Sequence, residues 1–173
     1  MKAPAPVVPG YRTVAALNYR VAYDVPDTWT VAATTTYRIA GTATASDGEN
    51  YCPGSAYRTV TFISPSPTAD LAEAARTMGL SAAKSGYSNS TDASATPPTA
   101  LTAKGMNGKA VQVTGTWRPS RPGCTTTTYA VHTFAFTAPS GSTLVLGIVA
   151  DTGTTGELTP SVAQQILGSV RPL

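Results

Sequence analysis

The first third of the chain alternates between apolar and polar residues with a period of two. Short segments rich in β-branched and aromatic residues follow one another from residue 11 to residue 63, separated by Pro, Gly, Asn and Asp. This pattern is typical of β-strands joined by turns. The predicted strands are YRTVAA (11–16), YRVAYDV (19–25), WTVAA (29–33), TYRIAG (36–41) and YRTVTFI (57–63).

The apolar period changes to three or four residues after residue 65, which predicts an amphipathic helix. Ser66 is a candidate N-cap, Pro67 suits the first helical position, and Asp70 would lie in the first turn, where the helix dipole favours a carboxylate. Gly86 is the predicted end. The predicted buried face consists of Leu71, Ala74, Ala75, Met78 and Ala82. Small residues on this face indicate close packing of the helix on a sheet.

Beyond this helix the pattern predicts a connector, further strands and a last helix. Residues 87–101 are polar, contain adjacent prolines and predict a connector without regular structure. Strands are predicted in KAVQVTGTW (109–117), TYAVHTFAFTA (128–138) and STLVLGIVAD (142–151). The run Leu144–Ala150 is apolar throughout, which predicts a central strand covered on both faces. Thr159 and Pro160 begin the last helix, whose predicted apolar face is Val162, Ile166, Leu167 and Val170.

This order of elements predicts an α+β fold, with a mainly antiparallel β-sheet covered by helices. The length of 173 residues suits one domain, which we place at residues 11–173. Residues 1–10 are proline-rich and are interpreted as a linker stub, from which an export signal or membrane anchor has been removed. The longest apolar run is far shorter than the roughly 20 residues that span a bilayer.

The segment YDVPDTWTV (23–31) combines a strand, a proline turn and a tryptophan. Pro26 fixes φ for the turn, and Trp29 follows where the chain returns. A large ring beside a tight hairpin is expected to pack on the covered face of the sheet, so we predict structural roles for both residues. The alternative is that Trp29 is a platform for a ligand.

The chain resembles the PsbP-like superfamily in four features: this turn, the alanine-rich helix, the late pair of long strands and the closing AQQILGSVRP (163–172). More narrowly, the chain is similar to actinobacterial extracytoplasmic domains of unknown function that follow a membrane anchor, and to small mycobacterial lipoproteins of that fold. The resemblance implies a PsbP-like α/β/α sandwich over residues 11–173. It also implies binding of proteins or envelope components, and no catalytic residues or cofactors.

The amino-acid composition indicates the cellular compartment of the protein. Only 12% of residues are charged, about half the usual share, and Thr, Ala, Ser and Gly replace them. This composition is typical of an exported bacterial protein. The net charge is +3 and the longest basic cluster is Arg118–Arg121, so we expect no nucleic-acid partner.

Cys52 and Cys124 each lie beside Pro and Gly, in predicted exposed turns. Outside the cytoplasm such a pair is expected to form a disulfide. The alternative is a reactive cysteine, which needs a neighbouring base, and the chain has one histidine.

Candidate chemistry is sparse. His132 alternates with Ala130, Phe134 and Phe136, which indicates a hydrogen-bonded strand histidine rather than a catalytic base. No Gly-x-Ser-x-Gly motif is present. We expect no metal site, because one histidine and two paired cysteines supply too few zinc ligands. The closest acidic pair, Asp47 and Glu49, is expected to be an exposed turn rather than a calcium site.

Five residues remain as candidates for binding: Arg12, Arg20, Arg38, Arg58 and Asp151. Each arginine follows a tyrosine in a predicted strand, and neighbouring strands could place the guanidinium groups in a row that holds phosphates or carboxylates. The alternative is a solvated strand face with ion pairs. Asp151 ends the most apolar strand; it could organise a binding cleft, cap its loop or pair with Arg171.

These observations favour a non-catalytic extracytoplasmic binding domain of a membrane-anchored or secreted protein. Its partner would be a protein or a component of the cell envelope. Two alternatives stay open. One is a hydrolase that acts on envelope material, which needs a pocket joining Asp151 or His132 to an activated hydroxyl. The other is a carrier of small molecules or lipids, which needs an enclosed apolar cavity.

Overall fold

The computed structural model describes residues 4–32 and 41–173. Within them the chain forms two antiparallel sheets and two α-helices, which confirms the predicted α+β class. The strands are β1 (Tyr11–Ala16), β2 (Val21–Pro26), β3 (Thr30–Val31), β4 (Thr42–Asp47), β5 (Thr59–Pro65), β6 (Ser94–Ala95), β7 (Thr99–Ala103), β8 (Met106–Thr116), β9 (Thr128–Thr137), β10 (Thr143–Thr152) and β11 (Arg171–Pro172). The helices are α1 (Leu71–Gly86) and α2 (Pro160–Gly168).

The larger sheet has the order β3-β4-β5-β10-β9-β8-β6, and β7 also pairs with β8. The smaller sheet has the order β1-β2-β11. Successive residues of the central strands enter different cores: Ala135 and Val145 pack under α1, whereas Phe134 and Leu146 face α2 and the small sheet. The large sheet is therefore sandwiched between α1 on one side and α2 with the small sheet on the other.

The strand β10 has the predicted central place, because it pairs with β5 on one side and β9 on the other. Its one glycine, Gly147, lies opposite Phe62. A Cβ atom at this position would lie 2.3 Å from the ring of Phe62. The glycine therefore leaves the space that an aromatic ring fills in the middle of the sheet.

Helix α1 begins later than predicted. Asp70 is its N-cap, and its carboxylate accepts a hydrogen bond from the backbone N–H of Glu73 at 3.1 Å. Ser66 lies four residues before the cap, and its N–H donates to the carbonyl of Thr143, which extends the pairing of β5 with β10. The helix buries Ala74, Ala75, Gly79 and Ala83 fully, and the other predicted residues, Leu71, Met78 and Ala82, are partly buried and pack against the same core. The predicted face is therefore confirmed, with Gly79 and Ala83 in addition.

The predicted connector 87–101 contains strands, and the prediction of an unstructured segment was wrong. Both β6 and β7 pair with the same edge of β8, on either side of Pro97 and Pro98. Prolines are tolerated at a sheet edge, where no further strand needs their missing N–H. Asp92 also accepts two hydrogen bonds from Thr116, at 2.8 and 2.7 Å.

The N-terminal segment is bound to the domain from residue 5 onward. The backbone N–H groups of Val7 and Val8 donate to the carboxylate of Asp24, and Arg171 donates to the carbonyl of Ala5. These hydrogen bonds attach Ala5, Val7 and Val8, which lie within the predicted linker stub of residues 1–10, to the small sheet.

Candidate functional site

The two cysteines form a disulfide between Cys52 and Cys124, as predicted. The bridge joins the loop before β5 to the loop between β8 and β9. The backbone N–H of Gly54 donates to the Sγ atom of Cys124 at 3.1 Å, which holds the turn after Cys52 against the bridge.

The Asp151 carboxylate lies beside this disulfide loop and is buried. It accepts three hydrogen bonds, from the hydroxyls of Tyr51 at 2.7 Å, Ser55 at 2.6 Å and Tyr87 at 2.8 Å. Burial, and after it the hydrogen bond and charge of Asp151, raises the pKa of Tyr51 above its usual value. Burial and Asp151 likewise raise the pKa of Tyr87. Asp151 therefore connects the loop that contains Cys52 to the C-terminal end of α1.

One alternative for Asp151 was an ion pair with Arg171, and the structure does not contain this pair. Arg171 lies 3.0 Å from Asp24, whose carboxylate is fully buried. The same guanidinium donates to the carbonyl of Ser169 at 3.0 Å, and its ion pair with Asp24 fixes the C-terminal segment to β2. The structure thus gives the two carboxylates different partners: hydroxyls for Asp151 and a cation for Asp24.

The described arginines do not form one row. Arg12 lies on β1 and donates to the carbonyl of Trp29, while Arg20 lies in the turn between β1 and β2. Arg58 belongs to the other sheet, where it forms an ion pair with Asp47 at 2.8 Å and lies over the ring of Tyr51. Arg38 lies outside the described residues. Arg12 and Arg20 therefore belong to the small sheet and Arg58 lies beside the large one, so these three arginines do not all lie on one sheet.

Pro26 is the last residue of β2, and its carbonyl accepts a hydrogen bond from the N–H of Trp29 at 3.0 Å. The Trp29 side chain is 6% exposed and belongs to the core between the large sheet and the small sheet. This buried position is the one expected of a structural residue and not of a ligand platform.

A polar groove lies on the other side of the sheet from α1, between α2 and strands β8 and β9. We call it the His132 groove. One part of it, with a volume of about 290 Å³, is lined mainly by Thr96, Thr99, Gln112, His132, Pro160 and Gln164. The adjoining part, of about 260 Å³, shares Gln112, His132 and Pro160 and adds Ala130, Thr152, Glu157, Leu158 and Thr159.

The register of the sheet explains why His132 is at the floor of this groove. It lies directly opposite Gln112 on β8 and Ile148 on β10. Ile148 is fully buried, whereas Gln112 is half-buried, so the core ends at His132 and the groove begins there. Burial lowers the pKa of His132 to about 4, and the imidazole is neutral near pH 7.

Three side chains of the groove make no hydrogen bond to another described residue: Gln112, His132 and Gln164. The prediction that His132 is hydrogen-bonded within its strand was therefore wrong. The two glutamines were missed by the sequence analysis, because an isolated glutamine has no motif. The alternation of the strand 109–117 did place Gln112 on the face opposite Val111 and Val113, which was the available signal.

A second groove, of about 310 Å³, lies at the end of α1 and is lined by Leu80, Ala83, Lys84, Tyr87, Ser90 and Tyr129, among others. The ring of Tyr87 stacks on Tyr129 with centroids 4.1 Å apart. Ser55 and Asp151 line neither this groove nor the His132 groove. In residues 4–32 and 41–173, no three His, Cys, Asp or Glu side chains are grouped as metal ligands would be.

Comparison with known families places the whole described chain in one family, since the match covers residues 4–173. The chain belongs to the family called Domain of unknown function (DUF8017). A comparison with curated proteins found no significant match. Of the two helices in the described residues, neither is long and apolar enough to cross a membrane.

Two solved structures share the fold at low sequence identity. The crystal structure of the Saccharomyces cerevisiae Ran-binding protein Mog1p gives a TM-score of 0.57 at 12% identity, over 94% of this chain and 95% of that one. The solution structure of cyanobacterial PsbP (CyanoP) from Synechocystis sp. PCC 6803 gives 0.56 at 9% identity, over 100% and 98%. The similarity confirms the predicted PsbP-like fold, and at these identities it shows the fold alone.

Proposed function

We propose that this protein is a non-catalytic binding domain and that it holds its partner in the His132 groove. The observation that carries this proposal is the set of unpartnered side chains Gln112, His132 and Gln164 around one groove. Polar side chains converging on a depression in this way are typical of binding sites. Among the described residues, no carboxylate or hydroxyl is hydrogen-bonded to His132 to prepare it for proton transfer, so the groove favours binding over hydrolysis.

The proposal further places the domain outside the cytoplasm, in a membrane-anchored or secreted protein of an actinobacterium. The disulfide between Cys52 and Cys124 supports an oxidising compartment. The hydroxyl-rich, charge-poor composition supports export. The partner is then a protein or another component of the cell envelope. Mog1p, which shares the fold, is a Ran-binding protein, so this architecture serves binding in at least one other case.

Site-specific photo-crosslinking tests the proposal. Gln164, which lines the groove, is replaced by benzoyl-phenylalanine, and the folded domain is irradiated with envelope extract. Gln165 is the matched control, because it is the next residue of α2 and its side chain instead accepts a hydrogen bond from Tyr11. We expect a covalent adduct from position 164 and none from position 165. The same adducts from both positions, or none from either, would overturn the proposal.

A further inference from the structure

The unpartnered side chains of the His132 groove define the chemistry of its ligand. Gln112, His132 and Gln164 are uncharged, and each offers at least one donor and one acceptor. The imidazole stays neutral because burial lowers its pKa to about 4. A ligand that bonds to the half-buried Gln112 and His132 and to the exposed Gln164 uses both donors and acceptors, and it meets no formal charge on these three side chains.

The floor of the groove offers side chains and no free backbone. Strand β8 pairs with β9 on one side and with β6 and β7 on the other, and β9 pairs with β8 and β10. A peptide that binds by adding a strand needs an unpaired edge. The floor therefore cannot recognise a peptide main chain through a β-ladder.

Apolar groups line the groove together with the polar ones. Ala110 and Leu167 line one part, and Ala130 and Leu158 line the other, with Pro160 shared between them. Among the residues that the structure describes, no lysine or arginine lines either part, and Glu157 contributes a carboxylate. The walls thus suit a ligand that has both C–H faces and hydroxyl edges, and the carboxylate disfavours an anionic one.

We propose that the His132 groove binds an uncharged saccharide. Ring hydroxyls both donate and accept, as the side chains of Gln112, His132 and Gln164 require. The C–H faces of the ring pack against Leu158 and Pro160, which are accessible from solvent. This inference rests on the proposed binding function, and it specifies the ligand class within it.

Isothermal titration calorimetry with defined trisaccharides tests the inference. The probes are chitotriose, maltotriose and mannotriose, which are neutral, and trigalacturonate, which is anionic. We expect at least one neutral trisaccharide to bind with a Kd of about 1 mM or tighter, and trigalacturonate to bind more weakly. Binding should shift the imidazole resonances of His132 in NMR spectra.

The variants Gln112→Leu and Gln164→Leu should raise that Kd at least tenfold, while Gln165→Leu should leave it unchanged. Folding of each variant is checked by its thermal transition. Equal effects of the Gln164 and Gln165 variants, or no binding of any neutral trisaccharide, would overturn the inference. If photo-crosslinking at Gln164 then still gives a specific adduct with a protein or another envelope component, the ligand class is wrong and the binding domain stands. If it gives no adduct of either kind, the proposed function fails as well.

Discussion

Arg171, near the end of the chain, forms an ion pair with the fully buried carboxylate of Asp24, with 3.0 Å between nitrogen and oxygen. The carboxylate also accepts hydrogen bonds from the backbone N–H groups of Val7 and Val8. This one carboxylate on β2 therefore holds both the N-terminal and the C-terminal segment of the domain. An ion pair in the interior is expensive to break, because the remaining charge stays buried without a partner. This relationship leads directly to the first prediction.

We predict that Arg171→Met lowers the free energy of unfolding by about 3 to 5 kcal/mol, since it leaves the Asp24 carboxylate buried and unpaired. The measurement is urea unfolding at pH 7. The double variant Asp24→Asn/Arg171→Met is the control, and we expect it to be less destabilised than the sum of the single variants. Additive effects would show that the two side chains do not stabilise each other.

Asp151→Asn should lower the free energy of unfolding by about 2 kcal/mol. An amide has one oxygen where the carboxylate has two, so the hydroxyl donors Tyr51, Ser55 and Tyr87 cannot all keep an acceptor. Tyr51→Phe removes only one donor and should cost about 1 kcal/mol. Urea unfolding of both variants checks this order. A wild-type stability for Asp151→Asn would contradict a structural role of the cluster.

Removal of the disulfide by Cys52→Ala/Cys124→Ala should destabilise the domain by roughly 4 kcal/mol. The bridge closes a loop with a sequence separation of 72, and an open loop makes the unfolded state more favourable. Unfolding in urea measures the loss, and the wild type in dithiothreitol should match the variant. A loss below about 1 kcal/mol would mean that the bridge is strained or that the unfolded state stays compact.

His132 should make stability depend on pH between about 6.5 and 4. Its folded pKa of about 4 lies below the ordinary value of 6.5, so in this window the unfolded state binds more protons. The neutral imidazole therefore contributes its full share to the free energy of unfolding above pH 6.5. This share is lost as the pH falls toward 4, and the loss is at most about 3 kcal/mol.

Urea unfolding at pH 7, 6, 5 and 4 measures this loss. The variant His132→Leu should show less decrease over the same range, because carboxylates contribute equally to both proteins. Parallel curves for the two proteins would show that the imidazole titrates freely and is not buried in the groove.

Much of the fold follows from local pattern. The residues Tyr11–Ala16 form a strand with the predicted bounds, Gly86 ends α1 and Thr159 caps α2. Such elements are decided by period, capping side chains and turn residues within a few positions. The start of α1 and the strands of the connector were missed, because Ser66 and residues 94–103 are committed to neighbouring strands that are distant in the sequence.

The amino-acid sequence by itself determined the fold class, the covered central strand and the pairing of the only two cysteines. The tertiary structure alone decided the partners of the charged and polar side chains. Tyr51 and Asp151 are 100 residues apart, and Arg171 lies beside Asp24 rather than Asp151. Which side chains meet depends on strand order and register, and a pattern that repeats every two residues does not specify either. For the same reason only the assembled sheet shows that Gln112 and His132 share one open groove.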